Sequence, residues 1–396
     1  MKKHYFPLAI AVSMLCMSCE NDDTNFDNII NNPFTPIEIA FSDEPLYEPD
    51  EQIPADDNDY VENNLFTKHI VVSYTEEGAQ VTGAAGIAMV KKEGGHVTIN
   101  ALTKQISIAL TGECSNGSLK VYSDYKYRLL LDGVKLTNPV GAAINNQCGK
   151  SVYVVLSENK ENRLQCSGSD VVYTEGEDMK GAFFSEGQVI ISGRGALNIS
   201  SAYRNALASD DYIIIRPHNR LTLSSSQGNA IKANDGVSIL GSTLNISVNA
   251  PGSKGINSEA DIVIAGGRTT ILSEAPYLIE NNDTTGSAGV KCDSTLYIKG
   301  GELLISNKGE GGKGINAKEE IVMNNGQVSI VTFGKATVQS PTAIKTDGKF
   351  VFNGGSIYAY SKCGTAIKTA DGKSFITAPS PTYDERKGDW FVNIKY

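Results

Sequence analysis

Apolar residues alternate with polar ones at period two along most of the chain, in runs of three to six residues broken by Gly, Asn and Asp. One stretch shows the unit: Ala230-Ile-Lys-Ala233, Gly236-Val-Ser-Ile-Leu240, then Thr243-Leu-Asn-Ile-Ser-Val248. Such alternation with β-branched residues and turn-forming punctuation predicts short strands. No segment of this body carries a 3.6-residue apolar period. A small residue followed by an apolar one returns at Ile144, Phe183, Leu207, Ile231, Ile256, Val290, Ile315, Ile344 and Ile367, in steps of 39, 24, 24, 25, 34, 25, 29 and 23. Glycines 267, 301, 326 and 355 repeat the steps 34, 25 and 29, so insertions fall at one defined place in the repeat.

Three strands in about 24 residues are too few for a propeller blade, and the leucine-rich signature is missing. The pattern predicts an all-β fold: a right-handed parallel β-helix, one domain, with coils ~4.8 Å apart. Eleven or twelve coils would make a rod on the order of 55 Å long. Open coil ends expose unpaired strand edges and need caps. Ile70–Val97 and Pro379–Tyr396 are the candidates, with Trp390 and Phe391 as cap packing.

Charge divides the chain. The formal net charge is −10, from 35 basic and 45 acidic residues. Fourteen acids and no Lys or Arg lie between Glu20 and Thr67; with Lys2 and Lys3 set aside, 33 basic and 31 acidic residues remain from Lys68 onward. The acidity therefore belongs to a Pro- and Asn-rich segment that cannot bury enough apolar surface to fold alone. The body is almost neutral, and neither part reads as a nucleic-acid binder. Ahead of the acidic segment, Lys2-Lys3 and a short apolar run ending at Ser18-Cys19 have the shape of a secretory signal. The junction resembles a bacterial lipobox, and Glu20, Asp22 and Asp23 resemble the export signal of Bacteroidota surface lipoproteins. The expected organisation is a signal peptide at 1–18, a lipidated Cys19 with a disordered acidic tether over 19–67, and the β-helix at 68–396. That places a monomer on the outer membrane, held by lipid at Cys19 and exposed on the cell surface.

Several motifs fail on context. Gly309-Glu-Gly311-Gly-Lys-Gly314 fits G-x-G-x-x-G but lies in a β-helix turn with no helix after it. Gly149-Lys-Ser and Gly372-Lys-Ser lack the first glycine of a phosphate loop. His69, His96 and His218 are scattered and support neither a zinc site nor a Ser–His–Asp triad. The body's five cysteines (Cys114, Cys148, Cys166, Cys292, Cys363) form no disulfide or metal pattern and read as isolated thiols.

Gly112, Asn116-Gly-Ser-Leu-Lys-Val121, Leu129-Leu-Leu-Asp-Gly-Val-Lys-Leu-Thr137 and Gly141-Ala-Ala-Ile144, followed by the Ala/Gly-Ile-Lys/Asn units, resemble the β-helical carbohydrate-binding family. The resemblance runs from about Lys68 to Thr377. It implies a fold like that of pectate lyases, bound calcium and an acidic polysaccharide such as polygalacturonate, without established lyase activity. Lys318 and Ala370 depart from it, standing where acidic turn residues are expected.

In each first strand the Ile points inward, so its successor points out. Lys232, Asn257, Lys291, Asn316, Lys345 and Lys368 should form a ladder of ammonium and amide groups along one face. It suits the carboxylates of a uronic-acid chain, or simply a solvated face that discourages edge pairing. Two residues further on, Glu186, Asp210, Asn234, Glu259, Asp293, Lys318 and Asp347 form a second ladder. Asp210, Asp211, Asp235, Glu259, Asp293 and Asp347 are candidate calcium ligands, since calcium takes six to eight oxygens on rigid turns. Asx turns account for the same residues without metal. The longer steps place loops at about Ser167–Lys180, Glu274–Thr285 and Thr332–Ser340, all before the Ala/Gly-Ile strand. They should wall the Lys/Asn face, with Tyr173, Glu175, Glu177 and Asp178, then Tyr277, Glu280 and Asp283, available to sugar. The leading reading is non-catalytic binding of an acidic polysaccharide. A calcium-dependent lyase using Lys232, Lys291 or Lys345 as base is the second, and a surface adhesin or structural protein the third.

Overall fold

The computed structural model describes residues 57–370 and the strands Phe375–Thr377, Thr382–Arg386 and Phe391–Lys395. All of these belong to one compact unit, Pro45–Tyr396. The signal peptide, Cys19, most of the acidic segment and Trp390 lie outside the described residues.

The chain winds into a parallel β-solenoid of about 11 turns with about 25 residues per turn. One turn contains Ile231–Ala233, Val237–Ile239 and Thr243–Val248, as the alternation predicts. Each strand lies beside its counterpart one turn on: Ile231 pairs with Ile256, Val237 with Ile262 and Leu244 with Thr269. The first-strand stack, called the ladder sheet below, has 12 strands. The other two stacks are joined where the long strand Ile106–Cys114 pairs with both Tyr127–Leu131 and Lys135–Asn138.

Inward residues, Ile144, Phe183, Leu207, Ile231, Ile256, Val290, Ile315 and Ile344 among them, are fully or almost fully buried in one continuous core. Burying each such side chain contributes about 1.5–3 kcal/mol over leaving it exposed. The glycine marker has a steric cause. Gly267 adopts φ 72°, and a Cβ there would lie 2.1 Å from the Ser242 carbonyl oxygen of the previous turn. Only glycine fits that conformation and that approach together.

Antiparallel strands close both ends. Lys68–Thr75 pairs with Gly78–Thr82, and Ala88–Glu93 with Gly95–Ala101. At the other end Phe391–Lys395 pairs antiparallel with Ser356–Ser361 and Thr382–Arg386. Among the described residues no disulfide forms; Cys114, Cys148, Cys166 and Cys292 are buried thiols, and burial raises that of Cys292 to about 12.

One boundary moves. The acidic segment was expected to stay apart from the body up to residue 67, but its last part packs on the solenoid from Asp57 onward. The Phe66 ring lies 5.6 Å from that of Tyr153, with the Arg128 guanidinium 5.7 Å from its face. Arg216, almost fully buried, binds Glu62 at 2.7 Å and sits 4.5 Å over the Tyr60 ring. Tyr212 donates to Asp59, and Tyr153 to the carbonyl of Asn58.

Candidate functional site

The ladder residues fall in register. Lys232 lies opposite Asn257, Asn257 opposite Lys291, Lys291 opposite Asn316, Asn316 opposite Lys345 and Lys345 opposite Lys368. The row is open from Lys232 onward and again at Lys120, ahead of the first loop. Between them, Asn145, Phe184 and Ala208 hold the same outward positions but are buried. Lys180, at the end of the first loop, lies 5.7 Å over the Phe184 ring.

The second ladder meets the first. Lys232 binds Glu259 at 2.5 Å, Lys291 binds Asp293 at 2.6 Å and Lys345 binds Asp347 at 2.7 Å. Asp210 is held by Lys180 at 2.6 Å and accepts a hydrogen bond from Asn234. Asp211 accepts from Gln188 and from the Tyr212 amide, as in a turn, and Asp235 is exposed. The six residues marked for calcium therefore do not gather around one point, and four already hold an ammonium group. They do not fit a common calcium site.

The carboxylates that do converge are Asp178, Glu186 and Asp210, with one oxygen of each within 4.8 Å of the others. Lys180 binds two of them. Partial burial, then Asp210 and Asp178, push the Glu186 carboxyl up. Burial pulls Lys180 down, but Asp178 and Asp210 outweigh it and hold the ammonium above its ordinary range.

Sequence reading missed two lysines. Lys254 and Lys313 lie in the same strands as Asn257 and Asn316, in register with each other through Ala288 on the turn between. Lys254 is only 8% exposed, and among the described residues no hydrogen-bond acceptor or ion-pair partner meets its ammonium. Burial, then the charge of Lys291, lowers it to about 8. Lys313 donates to Gln339 Oε1 at 2.8 Å; burial, then Lys345 and Lys368, lower it to about 8. Beside Lys254, the Asn257 side-chain oxygen is buried without a partner. The signal available in sequence was the switch from Ala-Ile-Lys to Lys-Gly-Ile-Asn at these two turns.

All three loops rise at one corner, each leading into a ladder-sheet strand. The second folds into a hairpin, Leu278–Glu280 with Asp283–Thr285, and the third touches it where Gln339 donates to the Thr284 carbonyl. Tyr277, half-buried, hydrogen-bonds through its amide to Glu310, beside the Lys313 strand. Tyr173 is placed elsewhere. It lines a cleft of about 190 Å³ under the first loop, with His96, Ser118, Lys120, Asn145, Val172 and Met179. Lys120 reaches Glu177 at 2.7 Å across it, and Tyr122 donates to the same carboxylate. Burial pushes Glu177 up, but hydrogen bonds from Lys120 and Tyr122 outweigh it and keep the carboxyl below its ordinary range.

The profile of a family described as "Carbohydrate-binding domain-containing protein" matches residues 93–252 and 245–335, more than half of the chain. A solved structure titled a polysaccharide lyase-like protein from C. thermocellum, a gadolinium derivative, is similar at 18% identity and a TM-score of 0.47, over 71% of this chain and 96% of that one. No curated protein matches.

Proposed function

The chain belongs to the carbohydrate-binding domain-containing family, and from that premise we propose that it binds an acidic, uronic-acid-containing polysaccharide along the Lys/Asn face without cleaving it. The observation that carries this is the charge of that face. Over the six turns from Ile231 to Ile367, the ladder positions and the two wall-side positions present Lys232, Lys254, Lys291, Lys313, Lys345 and Lys368. Among the described residues, only Glu259, Asp293 and Asp347 pair with them. The surplus of ammonium groups on a rigid sheet beside a loop wall suits a carboxylated chain. In this reading the body is a monomer held at the outer membrane by lipid on Cys19 and displayed at the cell surface. The lysine pattern and the Ser18-Cys19 junction support it.

Lysine supplies the positive charge of this face, so binding should not need calcium. Titration calorimetry with uronic-acid oligomers, with and without a chelator, tests both points. Binding that survives replacement of all six lysines by Thr, or that vanishes with chelator, would overturn this assignment of the face. A second reading keeps one specific observation: Lys254, partnerless and lowered to about 8, has the protonation behaviour of a lyase base. Ultraviolet absorbance of unsaturated product, appearing with wild type and lost in Lys254→Thr, would mark that chemistry.

A further inference from the structure

The six lysines occupy six consecutive turns, one per turn, but not in one row. Lys232, Lys291, Lys345 and Lys368 stand just after the core residue, in the outer row. Lys254 and Lys313 stand two residues before it, on the side of the loop wall, and Asn257 and Asn316 then take the outer position. Over the five turns from Ile231 to Ile344 the cation thus alternates between two rows, which avoids placing like charges directly opposite on adjacent strands. The rows differ in what they already hold. Lys232, Lys291 and Lys345 are each bound to a carboxylate of this chain. Lys313 meets only the neutral Gln339 oxygen, and Lys254 has no hydrogen-bond or ion-pair partner among the described residues. Wall-side lysines therefore recur every second turn, ~9.6 Å apart at two coil spacings.

We propose that Lys254 and Lys313 read one edge of a flat, two-fold ribbon glycan, taking the carboxylates that recur on that edge at every second sugar. The proposal rests on the reading of the face given above and narrows it to a substrate class. In a two-fold ribbon of (1→4)-linked sugars each ring is turned over relative to the last, so ring carboxylates alternate between the two edges. Two extended rings cover roughly two coil spacings. A ribbon lying along the solenoid axis therefore brings same-edge carboxylates to Lys254 and Lys313 in turn. Its opposite edge faces the outer row, where Glu259, Asp293 and Asp347 already occupy lysines. Burial strengthens an ammonium–carboxylate contact at the wall. Burial depresses the proton affinity of both lysines, helped at Lys254 by Lys291, Lys313 and Lys232 against Asp293, and at Lys313 by Lys345 and Lys368 against Asp347; an arriving anion relieves it. A three-fold screw chain rotates its carboxylates off this edge and cannot meet both lysines.

The test is calorimetry on the full chain with three oligosaccharides long enough to cover the six turns. β-1,4-Glucuronan is an acidic ribbon, a cello-oligosaccharide is the same ribbon without carboxylates, and oligogalacturonate without calcium is acidic but not a flat ribbon. Glucuronan should bind tightest, oligogalacturonate at least about tenfold more weakly, and the cello-oligosaccharide weakest. Lys254→Thr and Lys313→Thr should each lower glucuronan affinity by about tenfold, the scale of one charge-assisted contact. Thr already stands at this position in the next turns, as Thr342 and Thr365. Both variants should keep or raise the thermal midpoint, because Lys254 is largely buried without an ion-pair partner and Lys313 is half-buried with only a neutral one. A swap, Lys254→Thr with Asn257→Lys, restores the charge on the wrong row. Glucuronan affinity recovered by the swap, or oligogalacturonate bound as tightly as glucuronan, overturns the proposal while leaving acidic-glycan binding intact. Failure of all acidic glycans to bind removes the broader reading, and this proposal with it.

Discussion

At the scale of single residues, buried Lys254 and half-buried Lys313 make pH the most direct probe. Lys254 and Lys313 titrate near 8 instead of 10.5, because burial and neighbouring lysines disfavour the charged form. Two consequences have opposite signs. Affinity for an acidic glycan should fall as pH rises from 7 to 9, since the cations that meet its carboxylates are lost. The free protein should behave the other way. Below about 8 both lysines are charged in the folded and unfolded chains alike, and the folded chain bears the full penalty of burying them. Between about 8 and 10.5 the unfolded chain binds more protons than the folded one, so stability rises with pH. Denaturant unfolding across that range should show the rise in wild type and a smaller one in the Lys254→Thr, Lys313→Thr double variant. An affinity that stays flat from pH 7 to 9 would remove these lysines from the binding contact.

Among elements, strands and loops were unequally legible in the sequence. Strand positions were readable because inward residues repeat at period two and every turn stacks the same pattern on the next. The corner glycines were readable because a Cβ at Gly267 or Gly355 would strike the neighbouring turn. Loop placement followed from the spacing of two independent markers, but what the loops do to the face did not. Lys180, at the end of the first loop, lies over Phe184, which carries no charge to reveal it, and Tyr173 lies in a cleft away from the Lys232–Lys368 ladder. The pairing of lysines with the second ladder was hidden too, because a side chain can bind on its own turn, as Lys291 does with Asp293, or on the next, as Lys232 does with Glu259. The hairpin Leu278–Glu280/Asp283–Thr285 is mostly exposed, and its Leu278 and Thr285 lie against Gly252, close to Lys254. Replacing Leu278–Thr285 with a short turn, which keeps the backbone hydrogen bonds of Pro276 and Tyr277, should therefore change stability by only about 0.5 kcal/mol. It should expose Lys254, return its proton affinity toward the ordinary lysine range and weaken glycan binding several-fold. Calorimetry beside a thermal melt checks this, and unchanged affinity would show that the wall takes no part.

For the molecule as a whole, the acidic segment shows where composition misleads. Its charge and proline content argue for disorder, and no local pattern marks Asp57–Phe66 as different from the residues before it. What holds this stretch is remote: Arg216 and Tyr212 lie about 150 positions further along the chain and reach it only because the solenoid stacks their turns beside those of Tyr127 and Tyr153. The strap spans several turns on the sheet carrying Tyr153, Ile190 and Tyr212, which is not the ladder sheet. Arg216→Leu should therefore loosen it without touching the glycan face. Arg216 is almost fully buried but Glu62 is about half exposed, so the partner left behind can turn to water. The cost should be about 1–3 kcal/mol, below that of breaking a fully buried pair. Because each turn of a solenoid contacts mainly its neighbours, the loss should stay local. Amide exchange over residues 57–66 should quicken and limited proteolysis there increase, while exchange in the Ile256–Ile344 turns and the affinity for acidic glycan stay as in wild type. Unchanged exchange over 57–66 would show that the Phe66–Tyr153 contact and the hydrogen bonds of Tyr212 to Asp59 and Tyr153 to Asn58 hold the strap, and that the ion pair and the stacking of Arg216 on Tyr60 are incidental to it.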